Sequence, residues 1–551
     1  MYYRLLRNYR GETAMSHLID NIQNIIEDSM KTNNIPGTAV AVIKDNELIL
    51  SQGFGMTNTE GWGSPVSANT LFRIASVSKL FTGTVIMMLV EQGLIDLDQP
   101  VQHYVPWFTT ADTELSKLIT IRMLLSHSSG LPTGGDGITT DLEGYMKETV
   151  PTVHIHFHPG TAYSYGNHSL NIAGYVAEHV TQKPFAALME ELLFKPLQMN
   201  QTTYDPLKAM TYPLALPHGP ANDGEHRAIE HQMYNNKACY PSYYAFSSIE
   251  DLSKFAMLHL QDGMYDGKQL LSEESVAEMR TQQSKWYTPT DGGCGITFFQ
   301  ENKDGIDRFW HYGQYSHEYS SQFILVPEKG IAVIALANGE NIFQAGYEIV
   351  DELLKGETVE SARQDSSDDG STPDWALYEG SYLHSYYGII HLEKREGEVF
   401  LKHNDQEFKL VRHSSDTYFA HDAEGHTPFT VGLPAQIPGQ SSKTIMVNSK
   451  GCPEFLPTYK PEPSDWEEWT GVYGSGKESY EISIDGEALI LKEVHNNKEQ
   501  TCRPITKNLF MTQEYGVINF TDVNGTITLE FVFAWRYPKQ QASELSLLSS
   551  N

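Results

Sequence analysis

The sequence predicts an α/β domain whose sheet contains strands from both ends of the domain, followed by all-β domains. Residues 37–55, GTAVAVIKDNELILSQGFG, form two β-rich runs on either side of Asp45 and Asn46, which is typical of a hairpin. Residues 321–338 contain a second pair of strands around a Pro-Glu-Lys-Gly turn, and helical patterns fill much of the interval between the pairs. Beyond residue 355, short alternating segments separated by Gly, Asn and Asp replace the helices. The strands and helices before residue 355 therefore predict a sheet covered by helices. The short strands after it predict an all-β architecture.

The chain begins with a basic tail and an amphipathic helix. Residues 1–15 lack the apolar run of a secretory signal, so we predict a cytoplasmic protein, with Met15 as an alternative start. Residues 16–31 follow with apolar side chains at helical spacing, and Ser16 stands at the position of a helix N-cap. The longest apolar run, TVIMMLV at 84–90, is far shorter than the ~20 residues that cross a bilayer, so no membrane span is predicted.

A serine and a lysine stand three residues apart at the start of a strongly apolar segment. Apolar residues recur densely enough between residues 77 and 93 to predict a largely buried helix that ends at Gly93. Positions three apart share one helix face, so Ser76 and Lys79 can converge on one point. The helix N-terminus favours an oxyanion near Ser76, and burial favours an uncharged Lys79. The two residues are a candidate nucleophile and its activator; the alternative is a capping serine beside a solvated lysine.

A second polar motif follows a turn in the middle of the α/β region. In HPGTAYSYGNHSL at 158–170, Tyr165 and Asn167 come after a Pro-Gly turn and before an apolar helix. A tyrosine can take the serine proton and pass it to a leaving group if a cation such as Lys79 stabilises its phenolate. The Asn167 amide can orient a substrate carbonyl. Tyrosine and asparagine are also common near turns, so a structural role is the alternative.

A third motif lies directly before the apolar strand at 321–338. In FWHYGQYSHEYSSQF at 309–323, Gly313 would let a substrate backbone approach the strand edge. His311 is expected to polarise Tyr165 or to contact substrate, with a structural histidine as the alternative.

The C-terminal third is separated by a polar, acidic segment and contains a weak repeat. DWALYEGSY begins at Asp374 and DWEEWTGVY at Asp465, which predicts two similar β domains whose repeated tryptophans and tyrosines form their cores. A single barrel made of two halves is the alternative. The predicted organisation is a tail at 1–15, the α/β domain at 16–355, a linker at 356–373, and β domains at 374–462 and 463–551.

Composition restricts the partners. The 551 residues are enough for two to four domains, and 39 basic against 70 acidic side chains give a net charge of −31. This charge repels nucleic acid and anionic lipid, so neither is predicted as a partner. The cysteines lie far apart without the spacing of metal ligands, which is usual for reduced, buried thiols in the cytosol. They are Cys239, Cys294, Cys452 and Cys502.

Together the motifs make the chain resemble the β-lactamase-related, penicillin-recognising serine hydrolases, which include class C β-lactamases, D-aminopeptidases, DD-peptidases and esterases. The order is that of the family: serine-x-x-lysine, tyrosine-x-asparagine, and a histidine-x-glycine version of lysine-threonine-glycine. These are carried by Ser76 and Lys79, by Tyr165 and Asn167, and by His311 and Gly313. Segments such as ITIRMLLSHSSGLP at 119–132 and LLFKPLQMNQTTY at 192–204 are also similar, and the resemblance covers approximately residues 16–355.

The resemblance implies a serine β-lactamase-like domain, with an antiparallel sheet flanked by helices and a helical subdomain, and the active site between them. It implies an acyl-enzyme on Ser76, activated by Lys79 and Tyr165, with the N–H groups of Ser76 and Gln314 around the oxyanion. No metal and no organic cofactor is implied. His127 lies in LLSHSSGLP, a segment that resembles one the family uses structurally, so it is expected to pack rather than to act as a base.

The departures from the family pattern bear on the substrate. His311 stands where typical β-lactamases have lysine, which removes a cation expected to meet a substrate carboxylate and disfavours penicillin hydrolysis. Tyr243 and Tyr244 stand where relatives often carry paired glycines, so a narrowed or aromatic pocket is expected.

A histidine-x-glycine motif joined to two β domains is similar to D-aminopeptidases, and an acidic chain can help to accept a free amine. We therefore predict cleavage of amide bonds in small D-amino-acid-containing peptides, with no oligomeric state predicted. The alternatives are a carboxylesterase or DD-peptidase of the same family and, from another class, a non-catalytic binding or regulatory module.

Overall fold

The computed structural model describes most of the 551 residues. It covers residues 2–134, 139, 141–220, 226–228, 235–290, 292–316, 318–355, 372–437, 443–455, 462–475, 478–523, 526–532 and 535–540, and for residues 2–14 it describes the backbone alone. The predicted linker at 356–373 lies outside the described residues except for its last two.

Strands from both ends of the α/β unit meet in one antiparallel sheet, as the sequence predicts. The strands of this unit are β1 Gly37–Lys44, β2 Glu47–Gly55, β3 Phe72–Arg73, β4 His218–Pro220, β5 His226–Ala228, β6 Phe246–Ser247, β7 Met264–Tyr265, β8 Lys268–Gln269, β9 Ser284–Lys285, β10 Gly293–Cys294, β11 Phe299–Lys303, β12 Ile306–Tyr315, β13 Tyr319–Val326 and β14 Ile331–Ala337. Eight of them form the sheet in the order β2-β1-β14-β13-β12-β11-β10-β9, and the other six pair as β3 with β6, β4 with β5, and β7 with β8. Val40 faces Ala335 across the junction of β1 and β14. The predicted hairpin at 37–55 is confirmed, and Asp45 and Asn46 both adopt positive φ angles at its turn.

Helices cover both faces of this sheet. They are α1 Tyr2–Thr32, α2 Ser78–Glu91, α3 Val101–Tyr104, α4 Thr113–Ser116, α5 Ile121–Leu125, α6 Leu142–Gly144, α7 Asn167–Thr181, α8 Phe185–Met189, α9 Pro206–Ala209, α10 Tyr240–Tyr243, α11 Ile249–Leu260, α12 Glu273–Arg280 and α13 Phe343–Leu353. Ala39 and Ala41 of β1 join the core around α2, whereas Val40 and Val42 join the core beside α1 and α13. This alternation is the two-residue period of a strand buried on both faces. None of the described helices has the length and apolar character needed to span a membrane.

Two helix boundaries differ from the predictions. The first helix begins at Tyr2, so Ser16 lies inside it and the predicted N-cap is wrong; continuous backbone hydrogen bonding outweighs the capping preference of a single serine. The predicted helix at 77–93 begins as a 3₁₀ turn at Ala75–Val77 and continues as α2 from Ser78. Its predicted end is confirmed, because Gly93 has a φ of 71° directly after the C-cap residue.

The C-terminal third consists of two separate eight-stranded sheets, so a single barrel made of two halves is excluded. The first barrel contains β15 Gly380–His384, β16 Gly388–Arg395, β17 Glu398–His403, β18 Gln406–Arg412, β19 Thr417–His421, β20 Phe429–Gly432, β21 Thr444–Val447 and β22 Lys450–Pro453. The second barrel contains β23 Gly471–Ser475, β24 Glu478–Asp485, β25 Ala488–Glu493, β26 Lys498–Pro504, β27 Leu509–Met511, β28 Val517–Val523, β29 Thr526–Phe531 and β30 Trp535–Pro538. Each is a meander of consecutive strands, nearly closed by an antiparallel bridge between its ends, Tyr382 with Glu454 and Tyr473 with Lys539.

The sequence repeat corresponds to a repeated core interaction. Trp375 and Trp466 are buried at equivalent places in the two barrels. The buried Tyr382 hydroxyl donates to the carbonyl of Tyr378 at 2.5 Å, and the buried Tyr473 hydroxyl donates to the carbonyl of Trp469 at 2.7 Å. The repeated aromatic residues therefore form the barrel cores rather than a ligand site.

Replacing either core tyrosine by phenylalanine is expected to destabilise its barrel by about 1 to 2 kcal/mol, because a buried carbonyl loses its hydrogen-bond donor. Urea unfolding followed by tryptophan fluorescence measures the effect of Tyr382→Phe and Tyr473→Phe. Tyr212→Phe is the control, because that hydroxyl makes only a 3.3 Å bond to the Asn200 carbonyl near the surface. Unchanged midpoints for both barrel variants would contradict the shared role.

Candidate active site

Ser76 lies in a tightly held turn between β3 and α2. Ala75, the residue before it, has a φ of 45°, a left-handed conformation that non-glycine residues adopt rarely. The hydroxyl of Ser78 donates to the Ala75 carbonyl at 2.7 Å, and the hydroxyl of Ser321 on β13 donates to the Ile74 carbonyl at 2.7 Å. These buried bonds fix the turn from the helix side and from the sheet side. The half-buried Ser76 hydroxyl is thereby presented at the surface of the turn.

Lys79 connects three parts of the chain at this turn. Its fully buried ammonium group donates to Ser76 Oγ at 3.0 Å, to Asn167 Oδ1 at 2.8 Å and to the carbonyl of Ser242 at 2.9 Å. Three acceptors match the three donors of a lysine side chain, which offsets the cost of burying it. Asn167 is the first residue of α7 and Ser242 belongs to α10, so the lysine joins two helices to Ser76.

Tyr165 completes the group around Ser76. Its hydroxyl donates to Ser76 Oγ at 2.7 Å, and Lys79 Nζ lies 4.9 Å from the centre of its ring. Desolvation raises the pKa of Tyr165 well above its ordinary value, so the phenol form dominates at neutral pH. Ser76 Oγ therefore accepts two hydrogen bonds, one from Lys79 and one from Tyr165.

The end of β12 forms the opposite wall. β11 pairs with β12 only as far as Phe299 opposite Trp310, so residues 311–315 extend past the end of β11 while β13 covers their other side. A Cβ atom on Gly313 would lie 2.4 Å from the Ile74 carbonyl oxygen and 2.8 Å from the backbone nitrogen of Ser76. The strand thus passes against the serine turn at a distance that only glycine allows. Gln314 follows, with an exposed side chain.

His311 is buried beside this wall and uncharged. Desolvation, together with the positive charge of Lys79, lowers the pKa of His311 to about 3. Its Nδ1 donates to the Tyr312 carbonyl at 2.6 Å, its ring stacks on Phe299 at 4.3 Å, and the centre of the Tyr165 ring lies 6.1 Å away. Nε2 is buried and has no hydrogen-bond partner among the described residues. His311 therefore offers an acceptor, and not a cation, next to Tyr165.

His127 packs against the back of Tyr165, with ring centres 4.7 Å apart, and its Nδ1 accepts a 3.4 Å hydrogen bond from the Gly166 N–H.

Tyr243 and Tyr244 pack with Tyr315 near the same end of β12, at ring-centre distances of 6.0 and 6.2 Å. Aromatic rings therefore surround the serine turn on several sides.

Of the residues selected from the sequence, Ser76, Lys79, Tyr165 and Asn167 are joined by direct hydrogen bonds, and Gly313 touches the serine turn. Sequence reasoning missed the strained Ala75 and the carbonyl of Ser242. A backbone carbonyl has no sequence signature, and the segment around Ser242 attracted notice only for its tyrosines. Elsewhere among the described residues, two carboxylates and a histidine of the first barrel have potential metal-ligand atoms within 4.8 Å of one another; they are Asp422, Glu424 and His426.

Known proteins share this sequence pattern. A family model described as Beta-lactamase matches residues 22–352. Penicillin-binding protein 4 of Amycolatopsis lactamdurans is 30% identical over 326 residues, which are 57% of this chain and 83% of that protein. Protein flp of Staphylococcus aureus strain MW2 is 24% identical over 332 residues, which are 58% of this chain and 62% of flp. This chain therefore spans less than two thirds of the length of flp.

Solved structures share the fold. SurE superposes with a TM-score of 0.58 at 21% identity, over 80% of this chain and all of that one. The octameric penicillin-binding protein homologue from Pyrococcus abyssi superposes with a TM-score of 0.53 at 20% identity, over 79% of this chain and all of that one. Because the family model covers more than half of the chain, we conclude that this protein belongs to the β-lactamase family of serine hydrolases.

Proposed function

We propose that Ser76 is the nucleophile of this hydrolase and that it forms an acyl-enzyme. The observation that carries the proposal is the pair of hydrogen bonds from Lys79 Nζ and Tyr165 Oη that both end on Ser76 Oγ. A serine hydroxyl reacts only when a neighbouring group takes its proton, and both neighbours are within transfer distance.

The route of the serine proton follows from the surroundings of Lys79 and Tyr165. Tyr165 holds its proton in the resting site, because desolvation raises its pKa. Lys79 donates three hydrogen bonds as an ammonium ion in that state, so it first loses one proton to solvent, and the uncharged amine then accepts the serine proton. Ser76 Oγ bonds to the carbonyl carbon as its proton moves to Lys79, and the carbonyl electron pair moves to oxygen. Tyr165 then protonates the leaving group and recovers a proton from Lys79. Water repeats the sequence on the acyl-enzyme and returns the proton to Ser76.

The oxyanion of this reaction would be held by backbone N–H groups. We assign the N–H of Ser76 and the N–H of Gln314, because Gly313 brings the open end of β12 against the serine turn. The Asn167 oxygen is used by Lys79, which leaves the amide NH₂ of Asn167 to contact a substrate carbonyl.

The substrate is proposed to be a small peptide that contains a D-amino acid and is cleaved at an amide bond. In support, β12 carries no cation at His311, since the pKa of that side chain is lowered to about 3, and a penicillin carboxylate would lack its partner on this strand. A carboxylesterase or DD-peptidase is the alternative within the family. The hydrogen-bonded group around Ser76 argues against a non-catalytic binding module, because such a module has no use for a desolvated lysine beside a serine.

Ser76→Ala is expected to abolish both turnover of ester and amide substrates and labelling by a fluorophosphonate probe, because the attacking oxygen is lost. Mass spectrometry of the labelled protein should place the adduct on Ser76. Ser128→Ala, which removes a buried serine hydroxyl bonded to Ser126, is the control and should keep labelling. Hydrolysis that survives in Ser76→Ala would overturn the assignment.

Gly313→Ala is expected to lower kcat by about 10² or more, the cost of removing an oxyanion donor, because the new methyl group would displace the strand from Ser76. Gly339→Ala is the matched control, because its φ is not left-handed and a Cβ atom there would meet its nearest neighbours at an ordinary 3.6 Å. Thermal unfolding of both variants separates a local effect from misfolding. Full activity in a folded Gly313→Ala protein would argue against this oxyanion site.

A substrate panel tests the proposed specificity. We expect D-alanyl 4-nitroanilide to be cleaved with a kcat/KM at least about tenfold above that of its L-isomer and above that of benzylpenicillin, a difference of about 1.4 kcal/mol in transition-state binding. Turnover of 4-nitrophenyl acetate without any amide cleavage would instead favour the esterase alternative.

A further inference from the structure

A cavity of about 230 Å³ lies where both barrels meet the α/β unit, directly beside Tyr165. The α/β unit contributes the region around Phe157 and Tyr165, the first barrel contributes Leu383, Ser385 and Lys450, and the second contributes Val532. Tyr165 forms part of this wall and also donates its hydroxyl to Ser76 Oγ. Tyr165 therefore contacts both the cavity and the serine.

The first barrel contacts the α/β unit directly around the cavity, and the second barrel contacts the first. A Cβ atom on Gly451 of the first barrel would lie 2.5 Å from the ring of Phe157, so the two surfaces are in contact there. Lys285 on β9 forms a 3.0 Å ion pair with Asp416 of the first barrel. The Val517 N–H of the second barrel donates to the Ser385 carbonyl at 2.8 Å, which ties the barrels to each other at the rim of the cavity.

Lys450 brings a positive charge to this cavity and has no acidic partner in the part of the chain that the structure describes. Its side chain is half-buried, and Nζ lies 5.9 Å from the centre of the Tyr386 ring. Desolvation lowers the pKa of Lys450, and no neighbouring charge described by the structure opposes that effect. The described side chains that line the cavity include no carboxylate. An anion entering from solvent would meet an ammonium group that the described residues leave uncompensated.

The other described basic side chains near Tyr165 do not offer a positive charge with a free hydrogen-bond donor. Lys79 already donates to three acceptors, and His311 is uncharged at neutral pH. His156, which also lines the cavity, is uncharged as well, because desolvation lowers its pKa to about 4. Among the described residues that line the cavity, Lys450 is thus the basic side chain left to meet an anion.

We propose that Lys450 binds a carboxylate of the substrate, which in a short peptide is its C-terminal carboxylate, so that the first barrel completes the substrate site. This inference rests on the proposed hydrolysis at Ser76. The apolar surfaces of Phe157, Leu383 and Val532 would pack against the substrate chain that carries the carboxylate. His311 on β12 supplies no cation for a carboxylate. Lys450, which is 139 residues further along the chain, supplies it instead.

The test compares substrates that differ only by a carboxylate. On the leaving-group side the pair is D-alanyl 4-nitroanilide and D-alanyl 3-carboxy-4-nitroanilide; on the acyl side it is 4-nitrophenyl butyrate and mono-4-nitrophenyl succinate. We expect the wild-type protein to prefer the carboxylate in one pair. Lys450→Met should raise KM for that member about tenfold or more and change KM for the uncharged member less than about twofold, as expected for a charge-assisted hydrogen bond. Lys409→Met, at an exposed lysine of the same barrel paired with Glu398, is the control.

Equilibrium binding to Ser76→Ala separates this inference from the proposed reaction. Isothermal titration with D-alanyl-D-alanine and with its C-terminal amide should show tighter binding of the acid, and Lys450→Met in the same background should remove the difference. If neither pair is hydrolysed but the acid still binds through Lys450, the hydrolysis proposal fails and the binding site stands. If hydrolysis at Ser76 occurs without a carboxylate preference, or the preference survives in Lys450→Met, the inference is wrong.

Discussion

The arrangement of the α/β unit around its serine depends on one buried ammonium group. Lys79 lies entirely inside the protein, and an uncompensated charge there would cost several kcal/mol. Its three acceptors come from the serine turn, from the first residue of α7 and from the backbone of α10. The three elements must therefore converge on Nζ for the charge to be satisfied. The same convergence brings Tyr165, two residues before α7 begins, within 2.7 Å of Ser76.

A second constraint is the distance between the serine turn and β12. The turn is strained at Ala75 and is held by the Ser321 hydroxyl from β13, while Gly313 on β12 leaves no room for a side chain beside the Ser76 nitrogen. The sheet therefore positions the backbone around the serine, and the helices position the side chains that are hydrogen-bonded to it. Backbone strain such as that at Ala75 persists only where the surrounding structure determines it, and here both the helix and the sheet do so.

The parts of this site that were predictable from sequence are those set by local spacing. Ser76 and Lys79 are three residues apart, and Tyr165 and Asn167 flank one helix start, so each pair follows from the chain itself. The positive φ of Ala75 and the carbonyl of Ser242 were not predictable, because both depend on tertiary contacts that override local preferences. The N-cap assigned to Ser16 was wrong for a different reason, because the helix continues through that residue without a break. Lys450 was the least predictable of these residues from sequence, because it reaches the cavity only through the packing of the first barrel against the α/β unit.

That docking also resolves an apparent conflict between the charge of the chain and an anionic substrate. A net charge of −31 repels anions at long range, but most of the acidic side chains are at the surface, where charges separated by more than about 8 Å are screened at physiological ionic strength. Lys450 is half-buried, which weakens this screening, and the described residues that line the cavity include no acidic side chain. Lys450 therefore gives the cavity beside Tyr165 a basic side chain although the protein as a whole is acidic. Recognition of a carboxylate is decided by the position of one desolvated ammonium group rather than by the total charge.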